Sequence, residues 1–393
     1  MLLFAATPTD TSAATAHGAA RSVRSVAALI VLLVVTSAIC WSVRWISVTD
    51  HASGDTFWYT RLALEYRGSP ESEATVAAAG YLVALSHVTD PAPTIELAQS
   101  IDARYPAIFA SRPVYPLVAA ALMPFFGLDA MIAAAALGAT LFAVALGLVA
   151  FGVTGRAMAA VLAVVAAYAL PLGSWLVFLY ADGWMFAWLA LTLGAATASL
   201  RGGGRGWLLV FACGLVFLYG SKTANGVVVV IAVVALWVLV AIAGHASARS
   251  GAALASIAVT IGAGQVALFG LLGAPGLAET LQDYFTRHFA VPDVADPLLL
   301  LLQREVTLVP WMLLTLILNP IVLIVAALGL GPLLVVRAPW ALLWVLAGVA
   351  TAATVLVHPV ISEVPRLMAP IWVSVSLGLV IWAARIRFNL RPG

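Results

Sequence analysis

Apolar residues run along this chain in long blocks separated by short polar clusters. The blocks reach the roughly 17–25 residues that a helix needs to cross a hydrocarbon core. Read between the breakers, ten membrane-spanning helices are predicted, at about 26–47, 128–152, 157–176, 183–200, 207–221, 225–244, 251–273, 307–330, 338–357 and 367–384. The pattern therefore predicts an all-α polytopic membrane protein, one transmembrane unit over 26–384 between tails 1–25 and 385–393. Two stretches between spans are long, about 48–127 and 274–306. In the first, "DTFWYTRLALEYRG" offers Phe57, Trp58, Leu62 and Leu64 with Tyr59 and Tyr66, which predicts an amphipathic helix lying in the interface. "RPVYPLVAAALMPFFG" (112–127) is too short and proline-marked for an easy span, and reads as a helix at, or dipping into, the same interface.

Composition supports a bilayer environment: 63% of residues are hydrophobic and 9% charged, against about 25% charged in soluble domains. Cys40 and Cys213 both fall inside predicted spans, which is neither a disulfide framework nor a zinc site. No basic cluster or finger spacing suggests nucleic acid. Arg21 and Arg24 precede the first block, which is long for a cleaved signal core and reads as an uncleaved signal-anchor helix. Charge then orients the chain. Arg156, Arg201, Arg205, Arg249 and Arg337 occupy alternate loops, and Arg385, Arg387 and Arg391 follow the last span. Of the carboxylates only Asp10 shares their side. That is the positive-inside pattern, with both termini cytoplasmic and both long loops outside. A single lysine, Lys222, beside abundant Ala, Arg, Gly and Val looks like high-GC bacterial coding, hence a bacterial cytoplasmic membrane.

Polar groups recur at the outer ends of the spans. Asp50 and Asp55 lie in "VTDHASGDTFWY", Asp182 in "FLYADGWMFAW", Lys222 in "GSKTANG", and Glu363 with Arg366 in "SEVPRLMAP". Within hydrocarbon each would cost about 2.5–3.5 kcal/mol on insertion scales. Near the interface the cost falls, and any one of them alone reads as a solvated loop charge.

Together they carry a resemblance. "SGDTFWYTRLALEYRG", "SRPVYPLVAAALMPFFG", "ADGWMFAWLAL", "YGSKTANGVVVV" and "SEVPRLMAPIW" follow one another in the chain. In that order they resemble the motifs of the GT-C class of integral-membrane glycosyltransferases, relatives of protein O-mannosyltransferases and lipid A aminoarabinose transferases. The resemblance implies a GT-C-like fold with a long first extracytoplasmic loop carrying interfacial helices. It implies an enzyme that moves a hexosyl or pentosyl group from a polyprenyl-phosphate donor on the outer face, with inversion by direct displacement. Asp55 would be the base, with Asp50 the close alternative and Asp182 the second-loop acid. Lys222, Arg366, Arg112, Glu363 and Tyr59 would surround the donor phosphate. The acceptor class stays open among lipid, protein and polysaccharide, with membrane lipids as the other partners.

Other features are weaker. His51 and Asp55 have i,i+4 spacing, which would admit a divalent cation if the stretch were helical; no other cofactor is indicated. "RGGGRG" (201–206) lacks the Walker pattern and reads as a turn. Trp41, Trp45, Trp184 and Trp188 read as interfacial belts or helix packing. Asp283, Arg287 and His288 in "LQDYFTRHF" either shape a substrate groove or sit on a plain amphipathic helix. Two other functions are consistent with the composition: a transporter or lipid flippase, which predicts ionisable groups at mid-membrane and paired repeats, and a non-catalytic scaffold.

Overall fold

A computed structural model describes residues 14–86, 89–358 and 360–389, with side chains over 25–385. The side chains of Asp10, Arg21, Arg24, Arg387 and Arg391 lie outside the described residues. Among the described residues the chain is helical throughout, with no strand. It begins with α1 (Ala14–Ser47) and continues through the loop helices α2 (Gly54–Tyr66), α3 (Glu71–Leu85), α4 (Ala92–Ser100), α5 (Arg104–Ala110) and α6 (Val114–Phe126). The bundle follows: α7 (Ala130–Thr154), α8 (Ala157–Ala169), α9 (Leu172–Trp175), α10 (Asp182–Leu200), α11 (Gly206–Ser221), α12 (Thr223–Ile242) and α13 (Ala248–Leu271). After α14 (Leu277–Phe285) come α15 (Pro297–Leu318), α16 (Pro320–Val335), α17 (Pro339–Leu356), α18 (Val364–Leu367) and α19 (Ile371–Asn389).

Seven described helical segments are long and apolar enough to cross a membrane. The bent pair Ile361–Leu367 and Ile371–Arg385 makes an eighth if counted as one span. Three further apolar helices, α8, α11 and α16, are shorter. This is a multi-pass membrane protein. Two predicted spans change shape. The one at 157–176 is helical only to Ala169, because Leu170, which precedes Pro171, is extended (φ −76°, ψ 168°), as residues before proline tend to be. The one at 307–330 is interrupted at Asn319, which precedes Pro320, so α15 starts at Pro297 inside the predicted loop and α16 takes up the remainder.

Small residues set the helix spacing, as expected where lipid supplies no hydrophobic drive between helices. A Cβ on Gly147 would meet Leu33 at 2.6 Å, one on Gly194 would meet Val149 at 2.5 Å, and one on Gly214 would meet Thr192 at 2.6 Å. Gly378 packs directly on the backbone of Gly329, bringing α19 against α16. The bundle core runs through α7, α8, α10, α11, α12, α17 and α19.

A second apolar core lies under the first loop, formed by Phe57, Trp58, Tyr59, Tyr81, Phe109, Tyr115 and Trp184, among others. This corrects the interfacial reading of α2. Phe57, Trp58 and Tyr59 are 2%, 4% and 0% exposed, and only Tyr66 at the helix end is open. The aromatic residues of α2 bury themselves against α3, α5 and α6 instead of floating in headgroups.

The long loops are joined. Arg104 Nη1 is 2.7 Å from Asp293 Oδ2, and its guanidinium lies over the Phe289 ring at 4.1 Å. Tyr105 and His288 rings are 4.5 Å apart. No regular helix runs through this part of "LQDYFTRHF": α14 stops at Phe285, and Arg287, His288 and Phe289 adopt left-handed φ values of 54°, 61° and 60°.

Candidate functional site

Chain reversals bring distant charges to one end of the bundle. Lys222 is the single residue between α11 and α12, and it is extended (φ −163°, ψ 102°). Its N–H donates to Leu218 O at 2.8 Å, and its carbonyl accepts from Asn225 N at 3.1 Å, so one residue closes one helix and opens the next. Gly226 allows so tight a reversal, since a Cβ there would lie 2.7 Å from the Tyr219 ring. Asp182 opens α10, which packs along α11, and so stands at the same level.

Arg366 on α18 completes the centre. Lys222 Nζ lies 2.8 Å from Asp182 Oδ1. Arg366 Nε and Nη2 lie 2.9 and 2.7 Å from Asp182 Oδ2. Arg366 Nη1 reaches Asp55 Oδ2 at 2.8 Å and Glu363 Oε2 at 3.4 Å. The three carboxylates differ in access: the side chains of Asp182, Asp55 and Glu363 are 1%, 22% and 38% exposed. Asp182 has both oxygens engaged by cations, as a buried carboxylate must.

Aromatic and hydroxyl groups hold this network in place. The Arg366 guanidinium lies 4.4 Å from the Tyr180 ring centroid, within cation–π range. Tyr180 Oη donates to Ser53 Oγ at 2.6 Å, and Leu179 N donates to His51 O at 2.9 Å. Ser53 caps α2, where Thr56 Oγ1 accepts from Ser53 N at 3.1 Å. The loop bearing Asp55 and the loop bearing Asp182 are thereby pinned together. Trp41 Nε1 and Arg44 Nε donate to Leu176 O and Tyr168 O, fastening the second loop to α1. Trp184 Nε1 donates to Ala134 O at 3.0 Å, so this tryptophan packs between helices.

Of the residues singled out in the sequence, Asp55, Asp182, Lys222, Glu363 and Arg366 form one continuous network. Tyr59 and Arg112 flank it: the Tyr59 hydroxyl is buried beside the Arg112 guanidinium, and Arg112 senses both Asp55 and Arg366. Burial pushes the Tyr59 hydroxyl up. Asp50 is exposed in the segment before α2. The metal spacing fails its own condition, because α2 begins at Gly54 and leaves His51 outside it. The His51 ring instead stacks on Trp45, with centroids 3.6 Å apart. Among the described residues no group of three or more His, Cys, Asp or Glu side chains is placed to hold a metal.

Sequence reasoning missed Tyr180, Ser53 and His358. Tyr180 stands two positions before Asp182, and His358 opens the stretch that leads to Glu363 and Arg366, so position alone offered a signal for both. Burial, with Arg112 and Lys222 nearby, pushes His358 down to about 4, which leaves it neutral at pH 7. The site thus combines a well-held cationic pair, a more accessible carboxylate and a neutral imidazole. Such a set can bind a phosphate ester and accept a proton beside it. No family model, curated protein or solved structure matches this chain.

Proposed function

We propose that the protein transfers a sugar from a polyprenyl-phosphate-linked donor to an acceptor hydroxyl, on the outer face of a bacterial cytoplasmic membrane. The observation that carries this reading is Arg366 itself. It bridges Asp55 and Asp182 while Lys222 holds the other oxygen of Asp182, which unites four of the motifs that resemble the GT-C class. On this reading α1, α7, α8, α10, α11, α12, α13, α17 and α19 are nine of the ten spans, and α15 with α16 supplies the one expected at 307–330. A transporter would set its ionisable groups near mid-membrane. Here they gather at helix ends.

The chemistry follows from the positions. The acceptor oxygen attacks the anomeric carbon as its proton passes to the Asp55 carboxylate. The new carbon–oxygen bond forms as the bond from that carbon to the carrier phosphate breaks. The leaving phosphate takes the electron pair, and Lys222 and Arg366 stabilise its charge in a site partly closed to water. Asp182 does not touch the reacting atoms; it positions the two cations. Glu363 steadies the Arg366 arm, and Arg112 with Tyr59 borders the donor.

Purified protein incubated with radiolabelled polyprenyl-phosphate sugars and a membrane extract tests the proposal. Label should pass to an extractable acceptor with wild-type protein and not with Asp55→Asn. Absence of transfer from every donor sugar, with folded protein, refutes it.

A further inference from the structure

A cation placed to hold a carrier phosphate, Arg366, already has carboxylates on all three of its nitrogens. Arg366 has five N–H donors. Four of them are engaged: Nε and one N–H of Nη2 by Asp182, and the two of Nη1 by Asp55 and Glu363. A phosphate can gain the paired contacts that make guanidinium binding strong only by replacing one of these carboxylates. Asp182 cannot be the one to leave. It is 1% exposed and also holds Lys222, so its departure would strand two buried cations. Asp55 and Glu363 both sit on Nη1, and both are more open.

We infer that the lipid phosphate binds by displacing Asp55 from Arg366 Nη1, so that the donor itself releases the base. This rests on the glycosyl-transfer reading and adds the state of the enzyme before substrate arrives. In that state one oxygen of the Asp55 carboxylate, Oδ2, is engaged by Arg366 Nη1 at 2.8 Å. An acceptor that enters first meets a masked base. Once the phosphate takes Nη1, Asp55 Oδ2 is free to accept a hydrogen bond from the acceptor hydroxyl beside the bound donor. Lys222 offers the first contact, since one of its three N–H donors is spent on Asp182. Both carboxylates stand at helix starts. Asp55 lies in the first turn of α2, where a carboxylate is favoured without a partner, and Glu363 lies just before α18.

Removing the proposed base should therefore strengthen donor-site binding. Equilibrium binding of a long-chain polyprenyl monophosphate, with the matching polyprenol as control, would be measured on full-length protein in lipid nanodiscs. Wild type should prefer the phosphate. Asp55→Asn, which removes the competing charge, should bind the phosphate about tenfold more tightly while binding the alcohol unchanged. Glu363→Gln should shift affinity in the same direction by less, because its contact is longer, and it offers a second route if Asp55→Asn unfolds. Arg366→Lys should lose the preference. Equal or weaker phosphate binding in both carboxylate variants overturns the exchange while leaving the transfer reading standing. A wild-type protein that binds polyprenol as tightly as the phosphate defeats the transfer reading, and the exchange falls with it.

Discussion

Lys222 Nζ stands 2.8 Å from Asp182 Oδ1 where the ends of three helices meet. Removing one partner of a buried ion pair typically costs about 3–5 kcal/mol. Asp182→Asn should therefore lower stability by an amount of that order, measured by thermal or denaturant unfolding in detergent. The double variant Asp182→Asn with Lys222→Met should recover part of the loss, since it removes a stranded cation together with its partner. Strict additivity of the two changes would show that the pair is not coupled.

Lys222→Met alone keeps the apolar stem and deletes the charge. Transfer should fall by about 10²–10³-fold, the usual effect of losing one donor to a developing anion. Lys222→Arg should retain a little activity. A lysine that merely snorkels to headgroups would leave activity near normal in a well-expressed Met variant.

Asp55→Asn should reduce turnover by about 10²–10⁴-fold, as for a positioned general base, in single-turnover assays at saturating donor. Asp50→Asn, changed at an exposed position, should turn over almost normally. The reverse ranking would move the base to Asp50.

His288 links pH to the junction of the two long loops. Its hydrogen bond to Asp283, 2.9 Å long, raises its pKa above the ordinary histidine value, with burial opposing. A raised folded-state pKa means that the contribution is complete below the unfolded value near 6.5 and fades as pH climbs through the folded value. Around this ring stand Asp283 and Tyr105, with the Arg104–Asp293 pair holding the adjoining turn. Amide exchange across 277–296 should therefore speed up from pH 6 to pH 8, after correction for intrinsic rates. His288→Gln should flatten that difference.

Orientation is tested with single cysteines in a Cys40→Ser, Cys213→Ser background. Residues introduced at the exposed positions Ser72 and Ser100 should react with an impermeant maleimide in intact cells, and one at Gly203 should not. Labelling with the opposite sidedness would put the charge network on the cytoplasmic face and remove it from an extracytoplasmic reaction.

Apolar block length made the helical, multi-pass character legible, because hydrocarbon thickness dictates a minimum run. It failed where a proline pair decided the outcome: Asn319–Pro320 sits within a block whose hydropathy is unbroken. It failed again at α2, where Phe57, Trp58 and Tyr59 suit an interface and a buried core equally well in sequence. The charged centre was legible because Asp55, Asp182, Lys222 and Arg366 each interrupt apolar surroundings. Their mutual pairing was not, since nothing local says that Lys222 and Arg366 would share one carboxylate. Tyr180 and Ser53 escaped for the same reason: a tyrosine and a serine near span ends are ordinary until a fold sets them against a guanidinium and against each other.

Gly138 gives the network a remote control. A Cβ at this position would lie 3.0 Å from the Trp184 ring and 3.1 Å from the Trp184 backbone nitrogen. Trp184 belongs to the first turn of α10, two positions after Asp182, so α7 is the seat on which that turn rests. A single added methyl group midway along an apolar surface would push the turn outward, carrying the carboxylate that Lys222 and Arg366 both grip. Even a few tenths of an ångström is a large fraction of the tolerance of three bonds between 2.7 and 2.9 Å. Gly138, which bears neither charge nor side chain, thus bears on the position of the charges at the end of α10.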